Sequence, residues 1–220
     1  HPRSFFYYMT EAHGLYYYKE GDDISSLVSA EVWGLHGADG ETAMCFAAVG
    51  PTEAECAYKL IAEGKVIEMK DAPAMVIKDE IFFDTSAKKA YFIGYASNND
   101  VVGTLYSMDY QMLDKGKVEA VDNNVVSLEY MAHNQMYIGK DAGNGTVDLY
   151  YNSVLVARNI LPNSTVMTAD GRAVVFAYQV AGENGDRMLA LYDGEKFIEA
   201  KLCDDITVKA GKNYTYISEK

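Results

Sequence analysis

A short apolar and tyrosine-rich run returns five times along the chain: Leu15-Tyr16-Tyr17-Tyr18, Ala57-Tyr58-Lys59-Leu60, Leu105-Tyr106-Ser107-Met108, Leu149-Tyr150-Tyr151 and Leu191-Tyr192. With Tyr16, Tyr58, Tyr106, Tyr150 and Tyr192 as markers, the steps are 42, 48, 44 and 42 residues. Repetition on that scale excludes most folds. Each copy is too small to bury an apolar face alone and must pack against its neighbours in the chain.

The content of one copy is legible. After most markers comes a second β-rich run: Gly64-Lys65-Val66-Ile67-Glu68-Met69, Gly116-Lys117-Val118-Glu119-Ala120-Val121, Val154-Leu155-Val156-Ala157 and Lys196-Phe197-Ile198-Glu199-Ala200. A hairpin follows. Its clearest form is Ser164 to Thr168, the turn Ala169-Asp170-Gly171-Arg172, then Ala173 to Tyr178. Asp-Gly between two β-rich runs is a strong hairpin signal, since the turn needs positive φ. Asp39-Gly40 and Ala210-Gly211 repeat it, while Ser86-Ala87-Lys88 and His133-Asn134 are weaker versions. The composition agrees, with 18 Tyr and 8 Phe for strands, 18 Gly for turns and only 4 Pro. Four strands in a period near 40–45 residues predict an all-β fold: a β-propeller of about five four-stranded blades. The expected blades are 15–54, 55–100, 101–144, 145–187 and 188–220 within a single domain spanning 1–220. Middle strands covered on both faces should be apolar without alternation, as Ala90 to Tyr95 and Ala173 to Tyr178 are.

One segment reads two ways. Thr52 and Glu55 are spaced as a capping box, with Ala54, Ala57, Tyr58 and Ile61 at helical spacing and Gly64 as a stop. The repeat instead requires a strand there, and the strand is the expectation. Ser4 to Met9 also reads as a strand, outside the five copies. It either closes the ring or belongs to a blade cut away, which would make the chain an incomplete fragment of a six- to eight-bladed propeller, prone to self-association. The start at His1-Pro2-Arg3, without Met, fits a processed or truncated product.

The stretch Ala169-Asp170-Gly171-Arg172-Ala173-Val174-Val175-Phe176-Ala177 resembles the repeat of TolB-type and related WD-like bacterial propellers, in which a small-Asp-Gly-basic turn precedes an apolar strand. The chain has neither the Trp-Asp dipeptide nor the Gly-His start of the WD pattern. The resemblance implies a binding platform or gating module, secreted or membrane-anchored, at the surface of a bacterium.

Several functions are excluded by charge and motif. The net charge of −13 argues against nucleic-acid binding, which needs a basic face. No apolar run is long enough for membrane insertion by a helix. Cys45, Cys56 and Cys203 have no C-x-x-C spacing, and His1, His13, His36 and His133 lack ligand spacing. There is no G-x-S-x-G nucleophile elbow and no glycine-rich phosphate loop.

What remains is an acidic rim. If the Tyr strand opens each copy, loops between copies (10–14, 50–55, 97–100, 140–145, 181–187) and loops between second and third strands (71–72, 122–124, 159–163, 203–205) gather on one face. They carry Glu11, Glu53, Glu55, Asp100, Asp122, Asp141, Glu183, Asp186, Asp204 and Asp205. The expected ligand-binding residues are Glu53, Asp100, Asp122, Asp141, Glu183 and Asp204, and the expected partner is a protein or a carbohydrate-like ligand. No cofactor is expected, except that Asp141 to Asp148 faintly suggests a calcium loop, without the carboxylate spacing of an EF-hand. The main expectation is a non-catalytic binding module. The alternatives are a glycosidase or lyase using Asp100, Asp141 or Glu183 across the channel, and a purely structural module of a longer protein.

Overall fold

The computed structural model describes residues 4–39, 43–69, 72–111, 117–132, 135–162, 165–169, 174–180, 187–192, 197–203, 205–209 and 215–219. Among them the regular structure is β-strand, broken by one turn of 3-10 helix, with no α-helix. The chain divides into two compact units, residues 1–123 and 124–220.

In the first unit β1 (Phe5–Met9), β2 (Leu15–Lys19) and β3 (Ser26–Ser29) form a three-stranded sheet in chain order. Next come β4 (Val32–Asp39), β5 (Met44–Val49), β6 (Ala57–Ala62) and β7 (Lys65–Val66), again in order. A third sheet, seven-stranded and in chain order, holds in this unit β8 (Phe82–Asp84), β9 (Lys89–Gly94), β10 (Gly103–Asp109) and the first part of β11 (Val118–Ala132). In the second unit the rest of β11 is joined by β12 (Gln135–Gly143), β13 (Thr146–Tyr151) and β14 (Val154–Ile160). A further sheet holds β15 (Val166–Ala169), β16 (Val174–Gln179), β17 (Arg187–Tyr192) and β18 (Phe197–Cys203), and a last pair is β19 (Asp205–Lys209) with β20 (Thr215–Glu219).

The tyrosine markers Tyr58 and Tyr192 lie on β6 and β17, the third strand of each four-stranded sheet, while Tyr106 and Tyr150 lie on β10 and β13, the third and sixth strands of the seven-stranded one. In the four-stranded sheets the hairpin before the marker supplies strands one and two, and the run after it supplies strand four. The Asp-Gly hairpin of β15 and β16 pairs Ala169 with Val174, its turn lying outside the described residues.

The sheets of the first unit stack face to face. The strand β5 is buried along both faces, so its residues enter two cores in alternation. Cys45 and Ala47 meet Leu15, Val32 and Ile61, joining the first sheet to the second. Met44 and Phe46 meet Leu60, Ala90, Phe92 and Met108, joining the second to the third. The Tyr7 hydroxyl fastens the first pair of sheets, donating to the Ala43 carbonyl at 2.8 Å and accepting from the Gly64 amide at 3.0 Å. Burial there raises the Tyr7 hydroxyl well above the usual phenol range and pushes the neighbouring Cys45 thiol up to about 12. In the second unit Tyr137, Val147, Leu149, Ala157 and Ile160 form a core closed by Tyr178 of β16.

The ambiguous segment resolves into both of its signals. Thr52 Oγ1 donates to Glu55 Oε2 at 3.0 Å, and the local pattern yields one 3-10 turn at Glu53–Glu55. The strand β6 starts two residues later because Leu60, Ile61 and Ala62 gain two buried faces by extending, which outweighs a weak helical preference.

Candidate functional site

An antiparallel four-stranded sheet sends its second-to-third connection and the end of its fourth strand from the same edge. The acidic residues singled out in the sequence sort onto such edges. Glu53 lies in the β5–β6 connection, Asp100 in β9–β10, and Asp122 within β11, which runs on to Ala132. Asp122 lies toward the Asp100 end of β10, since the neighbouring Asn123 side chain accepts from Thr104 Oγ1 at 3.2 Å. Asp141 lies at the β12–β13 connection of the second unit. Glu183 and Asp204 lie outside the described residues.

Each of the described carboxylates accepts a nearby backbone amide or stays exposed. Asp100 Oδ2 accepts from the Ser97 amide at 2.8 Å, Asp122 Oδ1 from the Asn123 amide at 2.8 Å, and Asp141 Oδ1 from the Gly143 amide at 3.1 Å. Glu53 is exposed, and its carbonyl receives the Cys56 thiol at 3.1 Å. The segment Asp141 to Asp148 is a β-hairpin, with Gly143 opposite Thr146 and a two-residue Asn144-Gly145 turn at φ 56° and 74°. Among the described residues no group of three or more His, Cys, Asp or Glu is placed to hold a metal ion.

A cation already organises the Asp100 connection. Lys78 Nζ donates to the carbonyls of Asn98, at 3.0 Å, and Asp100, and it lies 4.3 Å from the centre of the Tyr95 ring. The Tyr95 hydroxyl donates to Asp79 Oδ2. Burial, and then the Asp79 carboxylate, push this hydroxyl well above the usual phenol range.

A second polar cluster was not singled out in the sequence. On β11, Ser127 Oγ donates to Glu129 Oε1 at 2.8 Å. The ladder with β12 shifts register just before Ser127, between Val125 and Ser127, and again at Glu129, between Leu128 and Tyr130, and such irregularities re-aim side chains. Across the ladder from Ser127 stands Gly139, where a Cβ would come within 2.3 Å of the serine oxygen. The Thr165 hydroxyl oxygen is buried without a hydrogen bond of normal geometry, yet near enough to favour the charged form of Glu129. Burial outweighs both hydroxyls and holds the Glu129 carboxyl above the usual range. The signal that would have pointed here is a Ser-x-Glu pair inside an apolar strand.

The sign of the Glu129 shift gives a prediction. Its folded pKa lies above the unfolded value of about 4.3, so its contribution is fully present below that pH and is lost as pH rises through the folded pKa. Glu129→Gln should therefore melt higher than the natural chain near neutral pH and lose that advantage toward about pH 4. Melting followed by circular dichroism across that range measures it. A constant difference between the two proteins would refute the shift.

These features define a class: an all-β protein of antiparallel sheets with acidic connections along their edges. No protein-family model matches the chain, and no curated protein matches it. Among solved structures it is similar to a protein from Agrobacterium tumefaciens assigned as TolB, with 14% identity, a TM-score of 0.46, and coverage of 92% of this chain and 81% of that one. A likeness of that extent fixes neither blade number nor activity. Among the described residues no helix is long and apolar enough to cross a membrane.

Proposed function

We propose that the chain is a non-catalytic β-propeller binding module that recognises a protein or carbohydrate ligand through its acidic connections, at the outer surface of a bacterial cell. The observation that supports the reading is the engagement of Asp100, Asp122 and Asp141. Asp100 and Asp141 are each tied by a backbone amide of their own turn, and Asp122 by the amide of the next residue. Turns held this way present charge on a preformed surface, which lowers the ordering cost of binding. The negative balance of the chain then favours ligands carrying cationic or hydrogen-bond-donating groups.

The test is a melting screen of the whole chain against basic peptides and neutral oligosaccharides. A ligand at 100 times its dissociation constant adds about 2.7 kcal/mol and raises the midpoint by several degrees. Asp100→Asn with Asp122→Asn should reduce the effect of a true ligand. The proposal falls if no ligand shifts the midpoint, if the double variant responds as the natural chain does, or if an oligosaccharide is cleaved.

A further inference from the structure

The outer face of the first sheet is built from aromatic side chains that stand in solvent. Tyr7 and Tyr17 point toward the second sheet, Tyr7 through its hydroxyl contacts and Tyr17 buried. Alternation sends the residues beside them the other way. Phe6 stands opposite Tyr18 in the ladder, Tyr8 opposite Tyr16, and Tyr16 opposite Leu27 of β3. The rings form one cluster: Phe6 lies 5.1 Å from Tyr18 and 5.9 Å from Tyr8, and Tyr8 stacks 5.3 Å from Tyr16. A Cβ at Gly14 would meet both Tyr16, at 3.0 Å, and Leu27, at 3.8 Å, so the leucine continues the cluster. Phe6 is 52% exposed, Tyr8 39% and Leu27 56%, with Tyr16 and Tyr18 half-buried beside them.

The size and chemistry of this face select its occupant. An aromatic side chain offers about 150–250 Å², so the exposed fractions add to a patch on the order of 400 Å². A standard interface takes about 800 Å² from each partner, which is too much for a second copy of the chain to find here. A short segment fits. Along the strands the face is bounded by turns with exposed carboxylates, Glu11 between β1 and β2, and Glu20, Asp22 and Asp23 between β2 and β3. Lys19 stands opposite Phe5, on the other face. The strand β1 spans about 17 Å, close to the length of about six residues of polyproline II helix. Such a helix has no internal hydrogen bonds, so its carbonyls are free to accept from the Tyr8, Tyr16 and Tyr18 hydroxyls while its proline rings lie against the cluster.

We propose that the outer face of the first sheet docks a proline-rich segment of a partner protein, in polyproline II conformation and with a basic residue at each end. The rings supply contact area, the tyrosine hydroxyls supply hydrogen bonds to the carbonyls of the segment, and the carboxylates of the two turns match its charge. Polyproline II is populated before binding, so little ordering cost opposes a patch of this modest area. The face lies on a different sheet from Asp100 and Asp122, so this proposal and the reading of the acidic connections can fail separately.

The whole chain is titrated calorimetrically with a blocked peptide of four prolines flanked by one arginine at each end. Binding should weaken about tenfold when the prolines are replaced by glycine, which keeps the charge and removes the preformed helix. It should also weaken when salt rises from about 0.05 to about 0.5 M, and Glu11→Gln with Asp23→Asn should flatten that dependence. Phe6→Ala and Tyr8→Ala should each lose about three- to tenfold in affinity, with melting close to that of the natural chain. The proposal is overturned if the peptide does not bind, if the glycine version binds as tightly, or if both alanine variants bind as the natural chain does. Loss of binding in Asp100→Asn with Asp122→Asn, beside full binding in Tyr8→Ala, would assign the peptide to the acidic connections and overturn it too. So would a neutral oligosaccharide that binds in the peptide's place, or a dimer in ultracentrifugation that Phe6→Ala dissociates. Should an alanine variant not fold, Leu27→Ser and the shifts of the Tyr8 and Tyr16 ring resonances on adding peptide to the natural chain decide.

Discussion

Alanine at Phe92 is expected to cost the first unit about 3–5 kcal/mol, the range for truncating a fully buried phenylalanine. Phe92 lies at the middle of β9 with no exposed surface, its ring 6.0 Å from that of Tyr106 and within the core formed by Phe46, Leu60 and Met108. That core lies between two sheets, so the cavity cannot close unless a sheet moves. Domains are stable by only about 5–15 kcal/mol, and the loss is a large fraction of that. Thermal melting should fall by roughly 10 °C or more. Leucine at the same position keeps much of the volume and should cost less than the alanine change. An alanine variant melting within about 2 °C of the natural chain would mean that Phe92 does not hold the second and third sheets together.

The second large effect is expected at Gly64. The strands β6 and β7 pair Ala62 with Lys65, leaving Glu63 and Gly64 as a two-residue turn with φ of 47° and 74°. Left-handed backbone at the second position is natural for glycine and costs an L-residue about 1–2 kcal/mol. Space is the stronger constraint. A Cβ on Gly64 would come within 2.5 Å of Tyr17 Cδ1 and 2.7 Å of its Cγ. Tyr17 is buried against the second sheet and cannot swing away without loosening Tyr7, whose ring lies 4.9 Å from it. Overpacking of this kind typically adds about 1–3 kcal/mol. Gly64→Ala should thus destabilise the first unit by about 2–5 kcal/mol. Combining it with Tyr17→Ala should recover part of the loss, because the two closest contacts, to the ring, disappear and only the approach to the Cβ of residue 17, at 2.8 Å, remains. Denaturant unfolding of the two single variants and the double variant measures the coupling, and simple additivity would refute the steric account.

The strands were largely legible because β-structure writes itself locally. Tyr58, Tyr106 and Tyr150 lie on strands, and Ala90 to Tyr95 reads as covered on both faces because it is. The grouping of strands into sheets was not legible. Only Ala30 and Glu31 separate β3 from β4, which belong to different sheets, whereas seven residues separate β5 from β6 within one. Loop length therefore carries no mark of where a sheet ends, and the sheets begin at the hairpins. The residues 122–124 resemble a turn, yet β11 runs straight through them, with Asn124 at φ 58°. Asp100 and Asp122 could be placed in connections, but the Lys78 contacts that organise one of them depend on distant pairing. Glu129 was hidden for another reason. Simple alternation assigns Ser127 and Glu129 one face of a regular strand, and nothing local marks the register shifts with β12 or the approach of Thr165 to Glu129.

The double-sided burial of β5 has a consequence for how such a chain can vary. A strand with one wet face leaves every second position open to exchange. From Met44 to Ala48 this strand has no such position, since all five residues are buried. The alanines at 47 and 48 act as spacers: a larger residue at either would push apart one pair of layers. Sequence drift in this protein should therefore collect in the hairpin tips and leave the central rungs nearly fixed in volume.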